Sequence, residues 1–356
     1  MKKNDSLVKI AVPLVSILCA FIIGGIIIAC LGKNPFEAYG MLFSGSLGSS
    51  QKIAQTLTMA CPLIFTGLAA AFAYNCGVFN LGGEGQFIMG SVMSIFFSIK
   101  SGMTGPFGIL ISILVGCIAG GIWGAIPGLL KIWRGLNEMI VSIMLNYVAT
   151  LFMGYVYTNL LREGSTPQTA AIADSLKLPR FSDDFRVHIG IIVAILLAIF
   201  LTYFLSNTSN GFKIRAVGMN PTASKVVGFP VAKLVLISFI MSGAIAGIGG
   251  AIELHGKQFR LMSGFGAGFG FDGVAIALIA QLNPGASAIV AIIFAILRKG
   301  AVTLQSGMKV PTSIVDIIQA LVIIFAVAGV ALIKKPFFQK LLHRNEKSPK
   351  TKGALS

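Results

Sequence analysis

Charged and amide side chains within otherwise apolar stretches are the residues of this chain best suited to contact a polar solute. Glu84 lies in the run Asn80-Leu-Gly-Gly-Glu-Gly-Gln86. An ionisable group at the middle of a bilayer costs about 3 kcal/mol, so it normally faces a cavity or a partner group. The run therefore predicts a helix start or break at which Asn80, Glu84 and Gln86 line or shape a path. The alternative is an internal hydrogen-bond network that holds helices together.

Two other segments carry candidates of the same kind. Asp272 ends the run Gly264-Phe-Gly-Ala-Gly-Phe-Gly-Phe-Asp-Gly273, whose glycines permit the non-helical backbone that survives at membrane depth only beside protein or water. Glu138 and Asn146 are eight residues apart, with Ser142 between them, so they share one helix face. We expect this polar stripe to face the bundle interior, for packing or for passage.

The acidic segments around Glu84 and Asp272 have a similar order. In each, a glycine-rich acidic segment is followed by an apolar span and then by a proline, Pro106 or Pro284, that opens the next span. The predicted topology runs the two segments in opposite directions. Such pairs are typical of an inverted repeat with a site between its halves.

Nucleotide hydrolysis and metal chemistry have no sequence support. A phosphate loop needs Gly-Lys followed by Ser or Thr, but Asn34 follows Gly32-Lys33 and Gln258 follows Gly256-Lys257. The three histidines are not at ligand spacing, and the five cysteines form no C-x-x-C pair. We expect no catalytic residue, no metal site and no cofactor in this chain.

The segment from Lys213 to Phe229 predicts a short helix between spans. Asn220 followed by Pro221 is typical of a helix cap and first helical position, and Gly228 of a helix stop. Basic residues flank this helix, so it could rest on anionic headgroups or dock into a motor subunit.

Composition and apolar runs indicate the setting of these residues. The 356 residues are 55% hydrophobic and only 11% charged, against about 25% charged in soluble domains. A membrane span needs roughly 20 apolar residues in a row, and runs of this length without alternation are helices. The sequence predicts an all-α, polytopic integral membrane helix bundle of about ten spans, within a range of 8–11. The expected spans are Leu7–Leu31, Ile53–Tyr74, Val78–Ile99, Pro106–Leu130, Glu138–Leu161, Ile189–Ser206, Val231–Leu254, Gly268–Leu282, Pro284–Leu304 and Ser313–Ile333.

Small residues recur at helical spacing in two of these spans. Gly116, Gly120, Gly124 and Gly128 lie four positions apart, and Gly243, Gly247 and Ala251 repeat the pattern. We interpret both as smooth helix faces for close packing.

Basic residues in short loops predict the orientation. Lys2, Lys3 and Lys9 place the N-terminus in the cytoplasm, and the tail residues place the C-terminus there too. This divides the chain into a membrane domain at 1–340, which contains an external loop at 162–188 and a cytoplasmic loop at 213–229, and a basic cytoplasmic tail at 341–356. Arg298, Lys299 and Lys309 then fall in or near an external loop, which the rule disfavours. We assign the net charge of +16 to orientation and lipid contact, not to nucleic acid.

Several motifs resemble a known family. The run from Asn80 to Gln86, Met144-Leu-Asn-Tyr147, Gly218-Met-Asn-Pro-Thr-Ala-Ser-Lys-Val-Val-Gly228 and Ser242-Gly-Ala-Ile-Ala-Gly247 are similar to permeases of the ribose and branched-chain amino-acid class of ABC transporters. With Phe271-Asp-Gly-Val-Ala-Ile-Ala-Leu278 and Asn283-Pro284, the chain most resembles the nucleoside-uptake permeases that work with a lipoprotein receptor.

The resemblance implies a solute importer in the bacterial cell membrane. Its expected partners are an ATP-binding subunit that holds ATP and magnesium, a second permease subunit, identical or paralogous, and an external solute-binding lipoprotein. The cytoplasmic loop would carry the coupling helix, with Gly218, Asn220, Ala223 and Gly228 matching its motif and Ser224 replacing a second alanine. A ribose-like sugar permease and an ion-coupled secondary transporter remain alternatives.

Overall fold

The computed structural model describes residues 18–182, 185 and 187–333. The basic N-terminus with Lys2, Lys3 and Lys9, the loop residues Asp183, Asp184 and Arg186, and the tail at 341–356 lie outside these residues. Within the described part the protein is all-α. The helices are α1 (Leu18–Cys30), α2 (Pro35–Leu47), α3 (Ser50–Asn75), α4 (Gly83–Lys100), α5 (Gly105–Arg134), α6 (Glu138–Tyr155), α7 (Gly190–Asn207), α8 (Ser209–Met219), α9 (Pro221–Val226), α10 (Val231–Glu253), α11 (Phe269–Ile279), α12 (Pro284–Met308) and α13 (Thr312–Ile333).

Each predicted span overlaps one of these helices, which confirms the polytopic helix bundle. By length and apolarity, six of the described helices can each cross a membrane, and the pair α1 and α2, bent by 117°, makes a seventh. The remaining spans are the 18-residue α4, the 11-residue α11 and α13. Helices α2 and α8 were not predicted from the sequence, and α4 begins at Gly83, five residues after the predicted start at Val78.

At the centre of the bundle, α5 and α10 pack so closely that their backbones are in contact. A methyl group added at Gly124 would lie 2.6 Å from the carbonyl oxygen of Phe239, and one added at Gly116 would lie 2.9 Å from Cβ of Ala251. The predicted small-residue faces therefore meet each other. Both helices also pack against α4, which is mostly buried.

The contacts between helix ends define two opposite ends of the bundle. At one end, His255, which follows α10, bonds Ser94 of α4 through Nε2 at 3.0 Å and the carbonyl oxygen of Leu176 through Nδ1 at 2.7 Å. Thr169 pairs there with Leu261. At the other end, Asn75 closes α3 beside Gly218 of α8. The loop at 162–188 and the loop at 213–229 therefore lie at opposite ends.

Candidate functional site

Helices α4 and α11 begin at one point inside the bundle. The backbone N–H of Gly268, the residue before α11, donates to Oε2 of Glu84 in the first turn of α4 at 3.1 Å. A methyl group added at Gly270 would lie 2.6 Å from Cα of Glu84. From this junction α4 continues toward His255, whereas α11 runs to Leu282 beside Asn75. The opposite directions predicted for the two acidic segments are thus observed, and their N-termini meet.

Positive and negative groups lie close together at this junction, and their charges balance one another. Each helix N-terminus carries about half a positive charge, and Glu84 and Asp272 lie in the two first turns. Asp272 pairs with Arg298 of α12, Nε to Oδ2 at 2.8 Å, and the guanidinium lies 5.1 Å from the centre of the Phe269 ring. Arg298 is therefore inside α12 as an ion-pair partner, not in a loop.

Asn80 and Gln86 form a buried amide pair next to this junction. Asn80 donates through Nδ2 to Oε1 of Gln86 at 3.0 Å and to Oγ of Ser242 at 2.9 Å, while Gln86 donates back to Oδ1 of Asn80 at 3.1 Å. Ser242 in turn donates to the carbonyl oxygen of Ala69 at 2.7 Å. These bonds join the segment before α4 to α10 and α3. For Asn80 and Gln86, the geometry supports the alternative of an internal network.

Asn146 holds the start of α4 from the side of α6. Its Oδ1 accepts the N–H of Gly85 at 2.8 Å, and its Nδ2 donates to the carbonyl oxygen of Leu81 at 2.9 Å. Glu138 does not join this group, because its carboxylate pairs with Lys131 at the end of α5. The polar residues that the sequence predicts on one face of α6 therefore have separate roles. Asn146 positions the start of α4, and Glu138 forms an ion pair beside the α5–α6 turn.

The residues of the loop at 213–229 form the short helix that the sequence predicts. Oδ1 of Asn220 accepts the N–H of Ala223 at 2.9 Å, Pro221 opens α9, and Gly228 has a φ of +88°. Ser224 is buried against the bundle, whereas Ala223 is exposed. Apolar side chains beside them are also exposed: Met219 by 80%, Val226 by 85% and Val227 by 71%. An apolar surface of this kind suits contact with another protein.

Gly218 joins α8 to the end of α3. A methyl group added at Gly218 would lie 2.9 Å from both the carbonyl carbon of Asn75 and the backbone nitrogen of Gly77. Asn75 donates through Nδ2 to the carbonyl oxygens of Ala71 and Leu282, both at 2.8 Å. One backbone joint thus connects α8, the end of α3 and the end of α11. The sequence did not identify three residues of the site: Asn75, Ser242 and Arg298. An arginine within the apolar run at 284–304 was a usable signal for Arg298.

The similarity of this chain to known proteins agrees with this architecture. The branched-chain amino acid transport system / permease component family matches residues 52–327, well over half of the chain. The chain belongs to this permease family. The polytopic bundle is accordingly that of a multi-pass cell-membrane protein, in a class of transporter whose permeases work with ATP-binding and substrate-binding partners.

Individual relatives match nearly the whole permease. The guanosine ABC transporter permease protein NupP of Bacillus subtilis (strain 168) is 33% identical over 329 residues, which cover 90% of this chain and 94% of the relative. The nucleoside ABC transporter permease protein NupB of Lactococcus lactis subsp. cremoris is 32% identical, with 90% and 92% covered. The glucose ABC transporter permease protein TsgB13 of Haloferax volcanii is 30% identical, with 92% and 88% covered.

Proposed function

We propose that this permease is a membrane subunit of an ATP-driven importer of nucleosides. The observation that carries the proposal is the similarity, over nine-tenths of the chain, to two permeases named for guanosine and nucleosides. A sugar is the second candidate substrate, because a glucose permease is 30% identical over a comparable length.

The energy for transport would enter through α9. The exposed apolar side chains at its two ends, Met219 of α8 before it and Val226 and Val227 at its C-terminus, are the proposed contact for an ATP-binding subunit, which would hold ATP and magnesium. Asn220 caps the helix and Gly228 ends it, so both keep its position relative to α10. Gly218 lies at the other end of this unit, where α8 packs against α3.

The joint at Gly218 supports a route from α9 to the α4–α11 junction. A displacement of α8 would press on the end of α3 and, through Asn75, on Leu282 at the end of α11. Helix α11 would carry this movement to the contact of Gly268 with Glu84. Parting of the two helix starts would open a passage beside Glu84, Asp272 and Arg298, the charged groups that suit a polar solute at this depth.

The remaining partners are those that the family resemblance implies. An external solute-binding lipoprotein would dock at the bundle end that carries the loop at 162–188, opposite α9. A second permease subunit, identical or paralogous, would complete the passage. Asn80, Gln86 and Asn146 would support the junction through the bonds described above, with Glu138 bracing the α5–α6 turn.

Reconstitution tests the proposal directly. The permease would be purified with the ATPase, second permease and receptor encoded beside it and placed in liposomes, and uptake of labelled guanosine, ribose and glucose would be measured with and without ATP. We expect ATP-dependent guanosine accumulation. Accumulation of a sugar alone would favour the second candidate. Accumulation by this chain alone under a proton gradient would refute ATP coupling and favour an ion-coupled transporter.

A further inference from the structure

A groove between α7 and α12 is not used by the proposed transport route. It has a volume of about 720 Å³ and is apolar along most of its length, where Ile199 and Ile289 line it. Toward the end of α7 its lining becomes polar, with Thr202, Ser206 and Asn207. Ile199 and Ile289 are 62% and 65% exposed, so the groove opens on the side of the bundle. Its shape and polarity suit a long apolar chain with a polar head.

The polar end of the groove meets basic groups that form no ion pair among the described residues. Arg215 of α8 donates through Nη2 to the carbonyl oxygen of Ser206, a lining residue, at 3.4 Å. Its Nε is buried and has no hydrogen-bond partner among the described residues. Lys213 lies on the same helix, and the sequence from Asn207 to Ile252 contains no Asp or Glu. An anion at this end would therefore meet basic side chains that no acidic residue of the same segment neutralises.

The geometry points to a binding site for one anionic phospholipid. An acyl chain would occupy the space between α7 and α12, and the phosphate would be held by Arg215 near Ser206 and Asn207. Basic pockets between spans at the positively charged side of a membrane protein recognise anionic headgroups in this way. Because the end of α7 leads directly into α8, the bound lipid would brace the helix that carries the Gly218 joint.

Three variants and one control distinguish the parts of the site. Arg215→Gln removes the headgroup contact, and Ala288→Phe fills the groove from α12. The matched control is Arg134→Gln, which removes an exposed basic side chain at the same end of the bundle but on α5. Arg215→Lys keeps the charge and is the conservative variant, and Ala288→Phe tests the groove if Arg215→Gln does not fold.

The experiment measures which lipids stay bound to the complete transporter. The transporter would be placed in nanodiscs that contain equal amounts of phosphatidylglycerol and phosphatidylcholine and then released from them. The lipid that remains bound would be counted by native mass spectrometry. We expect about fivefold enrichment of phosphatidylglycerol, the effect of roughly one basic side chain at the membrane surface. Arg215→Gln should remove the enrichment, Arg215→Lys and Arg134→Gln should keep it, and Ala288→Phe should lower retention of both lipids.

Several results would overturn the site. Equal retention of both lipids by the wild type would do so, as would an equal loss of enrichment in Arg134→Gln and Arg215→Gln. Displacement of the lipid by glycerol phosphate would show that a free phosphate is sufficient. Efficient cross-linking of Tyr203→Cys between two permease subunits would show that protein covers the groove.

Discussion

Replacing Gly218 by alanine tests the joint between α8 and α3. The added methyl group would lie closest to the carbonyl oxygen of Asn75, and 2.9 Å from the carbonyl carbon of Asn75 and from the nitrogen of Gly77, whereas ordinary contacts begin near 3.4 Å. The 2.9 Å contacts alone require the helix to move by 0.5 Å, and the closer contact with the carbonyl oxygen requires more. Overpacking of this kind costs about 1–3 kcal/mol. Alanine also favours the helix by about 1 kcal/mol, so we expect a net loss of stability of up to about 2 kcal/mol.

The functional effect should exceed the loss of stability. A displaced α8 would no longer press evenly on Asn75 and on the end of α11, so more ATP should be hydrolysed for each solute molecule imported. The assay is the ratio of phosphate release to labelled guanosine uptake in proteoliposomes, together with the melting temperature of the purified complex. The ratio should rise at temperatures at which the variant remains folded.

Gly40→Ala is the matched control for this variant. Gly40 lies within α2, and no atom outside its own helix and chain neighbours would come within 4 Å of its added methyl group. Alanine there should leave transport unchanged and stabilise the helix slightly. If Gly218→Ala melts no lower than Gly40→Ala and imports as much solute for each ATP, the joint does not transmit movement.

Four further predictions concern separate parts of the molecule. Glu84→Gln should lower solute uptake at unchanged expression, because the charge that accepts the Gly268 N–H and opposes two helix N-termini is lost; unchanged uptake would leave Glu84 a packing role. Arg298→Gln should destabilise the complex by about 3 kcal/mol or more, since Asp272 is left without its ion-pair partner, and Asp272→Asn in addition should restore most of the melting temperature. Asn220→Ala should remove the cap of α9, cost about 1 kcal/mol and raise ATP hydrolysis for each solute imported; normal coupling would count against the assignment of α9. His188 should make stability fall at acidic pH, because burial, aided by Lys257 and Arg180, lowers its pKa to about 4. The unfolded imidazole, with a pKa near 6.5, takes up a proton first, so up to about 3 kcal/mol should be lost as the pH falls from about 6.5 to about 4. His188→Gln should flatten this dependence in thermal unfolding at pH 7.5 and 5.

Features governed by neighbouring residues were predictable from the sequence. The apolar runs are long enough to require membrane helices, and this alone excludes a soluble fold. Asn220, Pro221 and Gly228 have the roles expected of a cap, a first helical position and a stop, because those roles depend on backbone geometry within a few residues. The glycine faces of α5 and α10 were likewise visible, since helical spacing places every fourth residue on one side.

The partners of the polar residues could not be predicted in the same way. Glu138 and Asn146 share a helix face, yet one pairs with Lys131 of the preceding helix and the other with the backbone of Gly85. A helix face specifies a direction but not which neighbour lies there. The start of α4 was misplaced for a related reason, because the apolar residues before Gly83 are also compatible with a helix and only the bonds of Asn80 show otherwise.

Chain composition and local spacing were thus sufficient to establish a many-helix membrane protein with a short capped helix between spans and a few costly charges inside. The tertiary structure was needed to pair Glu84 with Gly268, 184 residues away, and Asp272 with Arg298 on the next helix. It also showed that α8 contacts α3 through bare backbone at Gly218. The physical reason is the distance along the sequence over which each feature is determined. Caps and helix length depend on adjacent residues, whereas the neighbour of a buried charge depends on how all the helices pack.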